Sequence, residues 1–364
     1  MPELLKNTYS PELLNELALD IKSAYPPFEA DKFIGSIFAD SWGGLELKDR
    51  VNHIAATLGE YLPQDYAQAL AILDKVVMNY GTWLDGTGWY FPVFVMMFGQ
   101  DEANWDLSIA ALERYTPYAS AELAVRPFII KNEKRMMEQM YAWSKHEDEH
   151  VRRLSCEGCR PALPWAPALN SFKADPSPIL PILERLKNDP SSWVRRSVAN
   201  NINDMSKTHP DLVVELAKKW IGDNEFTDAI VKHGLRTLLK KGNSDALALF
   251  GYNGIGSVQV TSFALNADSI AIGEELSFDF ELSSDAATKV RLEYRVGYMK
   301  AKGKTSTKIF KISETSLKEN EARHYTRKHK FMDVSTRKHY AGKHSITLIV
   351  NGQEQGTLDF ELTD

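Results

Sequence analysis

Two stretches of the sequence place an arginine and a carboxylate on one face of a predicted helix. Arg153 precedes Glu157 by four residues, and Arg196 is followed at the same spacing by Asn200 and then Asp204. Residues four positions apart share a helical face, so each stretch predicts a row that contains a cation and an acid. Carboxylates beside a breaking glycosidic bond stabilise an oxocarbenium-like centre and orient water, and arginines bind phosphate. The pattern therefore suits acid-assisted chemistry on a polyanion.

The same pattern has a structural explanation. In many helical repeats an arginine near the start of the second helix pairs with an acid in the preceding turn, and pairs within each helix would satisfy both carboxylates. Here the arginines are doubled, as Arg152 with Arg153 and Arg195 with Arg196. Adjacent side chains diverge by about 100° around a helix, so one arginine of each pair can serve the repeat while the other faces a different surface.

Two further motifs could hold a metal or act in redox chemistry. Residues 146–150, HEDEH, match the H-E-x-x-H pattern of zinc hydrolases. Both middle positions are acids and the flanks are not an apolar helix, which favours an exposed charged turn. Cys156 and Cys159 form a C-x-x-C pair without the β-α-β pattern that surrounds redox pairs. We expect no bound metal and no cofactor.

The arginine stretches belong to a repeat. HVRRLSCEGCR and WVRRSVANNINDMSKTHPDL are followed by a third copy, IVKHGLRTLLK. Aligned on Val151, Val194 and Val231, the copies lie 43 and 37 residues apart, the spacing of two-helix solenoid repeats of the HEAT kind. A Pro-rich segment between the first two copies carries Trp165, whose indole could face a cationic base or fill space beneath the loop.

Apolar residues recur at three- and four-residue spacing from residue 11 to about residue 253, with short Pro and Gly breakers between them. This pattern predicts short helices joined by short turns. Ser120 is expected to cap a helix that carries Glu122 in its first turn. We expect residues 1–253 to form a HEAT-like helical-repeat solenoid.

After residue 253 the apolar residues alternate with polar ones. Seven short segments show this alternation: VQVTSFAL, ELSFDFELS, KVRLEYRVGYM, TKIFKISE, RHYTRKHKFM, HSITLIV and GTLDFEL. Seven such strands suit a β-sandwich of immunoglobulin-like type. The predicted fold class is mostly α, with the solenoid followed by an all-β sandwich over residues 254–364.

The formal net charge of −6 is unevenly distributed. Residues 1–254 hold 27 Lys and Arg against 34 Asp and Glu, and residues 255–364 hold 16 against 15. All 16 of those cations lie in residues 289–343 beside 5 acids, which gives that segment a charge of +11 and predicts a local basic surface. The chain shows no basic and apolar leader and no apolar run of membrane-spanning length, so a soluble cytoplasmic protein is expected.

Three long segments resemble a known family. HVRRLSCEGCRPALPWAPAL, DPSPILPILERLKNDPSSWVRRSVANNINDMSKTHPDL and IVKHGLRTLLKKGNSDALALFGY look like the AlkC branch of the AlkC/AlkD bacterial DNA glycosylases, which repair alkylated DNA. The resemblance runs from the N-terminal helices through the repeats. The trailing sandwich resembles the immunoglobulin-like domain that part of this branch carries.

The resemblance implies hydrolysis of the N-glycosidic bond of cationic N-alkylated bases, 3-methyladenine and 3-methylcytosine above all, in double-stranded DNA. It implies a monomer without cofactor that acts in base excision repair at the bacterial nucleoid. Carried over position by position, it implies Glu157, Asp204 and Glu122 as catalytic acids, and Arg153 and Trp165 as contacts of the lesion or its flanking backbone. The candidates for phosphate contacts are Arg152, Arg195, Arg196, Lys232 and His233.

Two other interpretations remain open at the level of the residues. An inert HEAT-repeat scaffold could bind nucleic acid or protein through the same arginines, and its carboxylates would then contribute to no activity. A zinc hydrolase would use His146 and His150 as ligands. Whether the target base leaves the DNA stack is also open, because most glycosylases flip the base whereas this family resembles an exception that traps bent DNA.

Overall fold

The computed structural model describes residues 4–39, 41–80, 87–334 and 338–364, except for the side chain of residue 302. The helices in these ranges are α1 Pro11–Ala24, α2 Ala30–Ile37, α3 Leu47–Tyr61, α4 Tyr66–Val77, α5 Tyr90–Phe98, α6 Trp105–Tyr115, α7 Arg126–Lys131, α8 Glu133–Trp143, α9 Glu149–Glu157, α10 Asn170–Ala174, α11 Leu180–Leu186, α12 Ser192–Met205, α13 Pro210–Trp220, α14 Glu225–Gly234, α15 Arg236–Lys240 and α16 Ser244–Ala248. The strands are β1 Val258–Leu265, β2 Ser269–Ala271, β3 Glu275–Ser284, β4 Thr288–Met299, β5 Thr305–Leu317, β6 Glu321–Lys330, β7 Gly342–Val350 and β8 Gln353–Thr363.

The helices that carry the repeated arginines begin at side-chain caps. Asp148 precedes α9, Ser191 precedes α12 and Asn224 precedes α14, and each side chain accepts a backbone N–H from two or three residues later. Such a cap satisfies one of the N–H groups that a helix start leaves without a partner. The caps lie 43 and 33 residues apart, from 148 to 191 and from 191 to 224.

The third copy of the repeat is therefore out of register in the sequence alignment. Val151 and Val194 each lie two residues after the first residue of their helix, whereas Val231 lies six residues after Glu225, where α14 begins. The position equivalent to the two valines is Thr227, which is fully buried. The predicted spacing of 37 residues is wrong because a buried threonine stands where the alignment sought a valine.

The repeats build two layers of helices. α9, α12 and α14 lie side by side in one layer, and α8 and α11 pack against α9 from the other. The apolar face between the layers includes Val151, Leu154, Val194 and Val198, all buried. This packing confirms a helical-repeat architecture and places the last turn of α9 against the middle of α12.

The C-terminal strands form two sheets. One has the order β1-β3-β6, and the other has the order β2-β8-β7-β4-β5. All seven predicted strands are confirmed, and β2 is an additional three-residue strand that pairs parallel to β8. The inward residues of both sheets form one core, with Phe278, Phe280 and Phe360 among the buried rings. Buried residues alternate with more exposed ones along β3, which matches the alternation of apolar and polar residues in its sequence.

The described chain divides into two compact units. One comprises residues 1–208 and 222–234, and the other comprises residues 209–221 and 235–364, so that α13 belongs to the unit that contains the sandwich. Among the helices of the described ranges, none combines the length and the apolar character that crossing a membrane requires.

The helix end at Gly158 should not tolerate a side chain. A Cβ there would lie 2.6 Å from Val125 Cγ2 and 3.1 Å from Met140 Cε. We expect Gly158→Ala to lower the free energy of unfolding by about 1–3 kcal/mol through overpacking. The matched control is Gly35→Ala in α2, where the Cβ meets nothing within 4 Å and helix propensity predicts a gain of up to about 1 kcal/mol. Urea unfolding followed by circular dichroism measures both, and equal stability of the two variants would refute the expectation.

Candidate functional site

Arg160 joins the two carboxylates that the sequence places in different repeats. Its Nη1 donates to Glu157 Oε1 at 2.5 Å and its Nε donates to Asp204 Oδ2 at 2.9 Å. The three residues are 3–7% exposed. The end of α9 and the end of α12 thus meet at one buried guanidinium.

Two further side chains complete the bonding of these acids. Ser197 Oγ donates to Glu157 Oε2 at 2.6 Å, and Lys207 Nζ donates to Asp204 Oδ1 at 2.8 Å. Burial by itself would lower the pKa of Arg160, but the two carboxylates outweigh burial and raise that pKa above its ordinary value. Arg160 therefore stays charged, as a buried ion-pair network requires.

Glu122 enters the same cluster through Arg153. Nη1 of Arg153 lies 2.7 Å from Glu122 Oε2, and Nη2 of the same guanidinium lies 3.9 Å from Glu157 Oε1. The guanidinium also lies over the ring of Trp193, 4.5 Å from the centroid. The predicted partner of Arg153 was Glu157, but its shorter ion pair is with Glu122.

The predicted cap at Ser120 is wrong. α7 begins at Arg126, and residues 122–125 form turns. Ser120 Oγ instead donates to Glu122 Oε2 at 2.9 Å and accepts from Arg153 Nη1 at 3.2 Å. The hydroxyl orients a carboxylate of the cluster because no helix start is close enough to use it.

The three acids differ in their access to solvent. The side chain of Glu122 is 23% exposed, that of Glu157 is 7% exposed and that of Asp204 is 2% exposed. Glu122 and Glu157 can meet a bound molecule with a free oxygen lone pair, since a carboxylate accepts about four hydrogen bonds. Asp204, which is almost fully buried, contacts Arg160 instead.

The four arginines of the two Arg-Arg pairs differ in what their side chains contact. Arg152 donates to both oxygens of buried Asp189, at 2.7 and 3.1 Å, and Arg195 donates to the Asp189 carbonyl at 2.6 Å. Their neighbours are placed differently: Arg153 belongs to the cluster and Arg196 is exposed. Arg152 thus connects α9 to the next repeat, and Arg195 lies over the Phe226 ring of α14, 3.8 Å from its centroid, whereas Arg196 faces the surface.

Arg196 lies at a surface cavity of about 240 Å³ that Phe226 and His233 also line. His233 Nε2 lies 3.2 Å from Asn200 Oδ1. Lys232, the preceding residue on α14, is exposed. The structure therefore brings three of the predicted phosphate contacts to neighbouring positions on α12 and α14.

Trp165 is exposed on its Pro-rich loop. Its side chain is 58% exposed and its φ is 65°, in the left-handed region. The ring of Trp89 meets its indole edge-on at a centroid distance of 6.2 Å. The loop thus presents an aromatic face instead of burying it.

The structure shows the surroundings of the HEDEH motif and of the C-x-x-C pair. HEDEH covers the turn between α8 and α9 and the first two residues of α9, and His146 Nδ1 accepts the Asp148 N–H at 3.0 Å. The described ranges hold no group of three or more His, Cys, Asp or Glu side chains placed to bind a metal ion. Burial raises the pKa of the Cys156 thiol to about 12 and that of Cys159 well above its ordinary value. Both thiols are free and buried.

Sequence reasoning missed Arg160 and Lys207. Each follows a candidate acid by three residues, Arg160 after Glu157 and Lys207 after Asp204. The same acid-to-cation spacing in two successive repeats was the signal that could have identified them.

Comparisons with known proteins match both parts of the chain. Residues 103–238 match the family described as DNA alkylation repair enzyme, and residues 259–364 match the C-terminal Ig-like domain of YhaZ. The chain is 44% identical over 358 residues to the protein of Bacillus subtilis called uncharacterized protein YhaZ, and the alignment covers 98% of this chain and 99% of that protein. It is similar to the alkylpurine DNA glycosylase AlkC of Pseudomonas fluorescens, solved bound to DNA containing an abasic site analog, with 34% identity, full coverage of both chains and a TM-score of 0.94.

The buried position of Arg160 predicts a large loss of stability on its removal. Arg160→Gln would leave two desolvated carboxylates short of a cation, and we expect a loss of about 3 kcal/mol. Arg135 also bridges two acids, Glu102 at 2.7 Å and Asp106 at 2.8 Å, but on the surface. Arg135→Gln is expected to cost less than about 1 kcal/mol. Urea unfolding of both variants tests the difference, and equal losses would show that burial is not the cause.

Proposed function

The chain belongs to the AlkC branch of the DNA alkylation repair enzymes, and we propose that it is a DNA glycosylase of base excision repair. Its proposed substrates are cationic N-alkylated bases, 3-methyladenine and 3-methylcytosine, in double-stranded DNA. The observation that carries the proposal is the cluster of Glu122, Glu157 and Asp204 held by Arg153 and Arg160. The solved relative bound to DNA with an abasic site analog supports DNA as the partner.

The cluster suits a reaction in which the leaving group is already charged. When the bond from C1′ to the base nitrogen breaks, its electron pair neutralises the cationic base, so no general acid is needed. Positive charge then develops at C1′ and on the ring oxygen, and nearby carboxylates stabilise it. The water oxygen forms the new bond to C1′, and its proton passes to Glu157. Glu157 is the proposed acceptor that orients this water, because two of its acceptor positions are filled by Arg160 and Ser197 and the others are not.

The three acids would divide the work according to their exposure. Glu122 and Glu157 would face the sugar, and Asp204 would keep Arg160 in place from a position that is almost fully buried. The ion pairs of the cluster hold each carboxylate in position before DNA arrives. Preorganised charges of this kind need no rearrangement at the moment of reaction.

Contacts with the rest of the DNA are proposed from the placement of cations. Arg153 and Trp165 would contact the lesion or the backbone beside it. Arg196, Lys232 and His233 lie at adjacent surface positions of α12 and α14 and would bind phosphates. Arg152 and Arg195 would contribute only through N–H groups that their contacts with Asp189 do not use.

The sandwich would add sequence-independent affinity. Several of its cations already pair with acids, such as Lys328 with Glu275 and Lys343 with Asp359. Lys304, which immediately precedes β5, and Lys308, within β5, are exposed, and the described side chains include no acid paired with either. We propose domains of residues 1–253 and 254–364, a monomer, and a chromosomal substrate that places the protein in the cytoplasm.

Neutralising the acids should abolish base release. We expect Glu157→Gln to lower the single-turnover rate by about 10²–10³, as loss of one preorganised electrostatic group does, and Asp204→Asn to lower it less. DNA affinity should persist in both, because the substitutions remove negative charge. The assay measures free base released from duplexes that contain 3-methyladenine, 3-methylcytosine or 7-methylguanine.

Asp189→Asn is the matched control, since it also removes a buried carboxylate paired with an arginine. It should lower stability and leave the rate at the wild-type level. Release by wild type that collapses in Glu157→Gln supports the glycosylase. Intact DNA binding without release from any lesion would favour the inert scaffold instead.

The exposed lysines of the sandwich should set part of the salt dependence. We expect Lys304→Gln with Lys308→Gln to weaken binding to undamaged DNA and to reduce the slope of log K against log salt by about 0.9 for each phosphate that is no longer neutralised. Lys328→Gln with Lys343→Gln removes two lysines that are ion-paired and is expected to change the slope less. Fluorescence anisotropy across a salt series measures both. An identical slope in wild type and the first variant would exclude this surface from DNA binding.

A further inference from the structure

Trp165 adopts a backbone conformation that it would not choose by itself. A φ of 65° is uncommon for any residue but glycine and is least favourable for bulky side chains. Such conformations persist where surrounding contacts determine them, and they concentrate at functional sites. The contacts that hold this loop therefore decide where the indole points.

Arg126 fixes both ends of the loop. This residue is fully buried, and its guanidinium donates to three backbone carbonyls. Nη1 donates to the carbonyls of Gly158 and Arg160, at 3.0 and 2.9 Å, and Nε and Nη2 donate to that of Pro167, at 2.9 and 2.6 Å. The end of α9, which carries the proposed catalytic acid, and the far end of the loop are thus tied to one rigid group.

Close packing does not hold the middle of the loop in the same way. A cavity of about 190 Å³ lies against the indole of Trp165, and its walls include Trp89, Val93 and Leu123. Leu123 directly follows Glu122, so consecutive residues contribute to the cavity wall and to the acid cluster. Two hydrogen bonds hold the Trp165–Ala166 peptide: Nζ of Lys48, on α3, donates to the Trp165 carbonyl at 2.8 Å, and the Ala166 N–H donates to the Leu163 carbonyl at 3.4 Å. The shorter of the two is the one from Lys48.

We propose that Lys48 is a positioning residue for the lesion-contacting indole: it holds the Trp165 peptide in its left-handed conformation and so keeps the ring beside the acid cluster. This inference rests on the proposed function. Without the ammonium group, the peptide can rotate towards negative φ and carry the indole away, and the cavity leaves room for that movement. Lys48 would thereby affect the chemical step without touching the DNA.

Single-turnover base release separates this role from a phosphate contact. We expect Lys48→Met to lower the rate by between about tenfold and a hundredfold, the effect of a small misplacement at a reacting centre. The dissociation constant and its salt slope should stay at wild-type values, and Lys48→Arg, which retains a donor, should recover most of the rate. Lower affinity with a smaller salt slope would show that Lys48 binds phosphate and would overturn the proposal.

Lys131→Met is the matched control. Lys131 is likewise an exposed lysine whose Nζ donates to a distant carbonyl, that of Gln100 at 2.5 Å. It lies on α7, outside the proposed site, so its loss should leave the rate unchanged. A comparable fall in both variants would show that the effect is a general loss of stability, and the positioning role would be wrong.

A spectroscopic measurement tests the orientation without any activity. The eight tryptophans can be labelled with 5-fluorotryptophan, and the resonance of Trp165 identified with Trp165→Phe. We expect Lys48→Met to shift or broaden the ¹⁹F resonances of Trp165 and Trp89, and Lys131→Met to leave them in place. Unmoved resonances would overturn the proposal even in an active enzyme. Moved resonances in a protein that releases no base would support the tie and refute the glycosylase alone.

Discussion

A buried arginine between two buried carboxylates is the interaction on which the rest of the site depends. Removing Glu157, Arg160 and Asp204 from water costs free energy, which their mutual contacts and the hydrogen bonds from Ser197 and Lys207 offset. The ends of α9 and α12 must therefore meet closely enough for one guanidinium to reach both acids, at 2.5 and 2.9 Å. The apolar layer between the helices sets the separation of the repeats, and the charges set their register. The ion pairs of Arg160 therefore contribute to the stability of the fold and to the geometry of the site.

The molecule uses its buried arginines in two ways. Arg160 donates to two carboxylates, which balance its charge, and it holds both of these acids in place. Arg126 meets only carbonyls among its described hydrogen bonds, and burial lowers its pKa to about 10. A guanidinium can do this because its planar fork donates in several directions at once. Arg160 thus fixes the positions of the charged groups in the site, and Arg126 fixes the backbone at both ends of the loop that carries Trp165.

In the sandwich, the net charge of a segment does not show which of its cations are paired with acids. Its cations outnumber its acids strongly in residues 289–343, yet several pair with acids outside that segment, including Glu275, Glu354 and Asp359. Pairing across strands brings together residues that are far apart in the chain. Lysines near the start of β5, by contrast, have no acid partner among the described side chains.

The sequence by itself determined the helical repeats and the seven long strands, and it pointed to the acids as candidates, because periodicity and residue type are local properties. It misjudged the third repeat, where Thr227 replaces a valine, and the role of Ser120, since a polar residue can cap a helix or orient a carboxylate with the same hydroxyl. Only the tertiary structure decided that Arg160 joins Glu157 to Asp204. That choice depends on how two helices pack, which is set by the summed burial of many side chains and not by the spacing of any few along the chain.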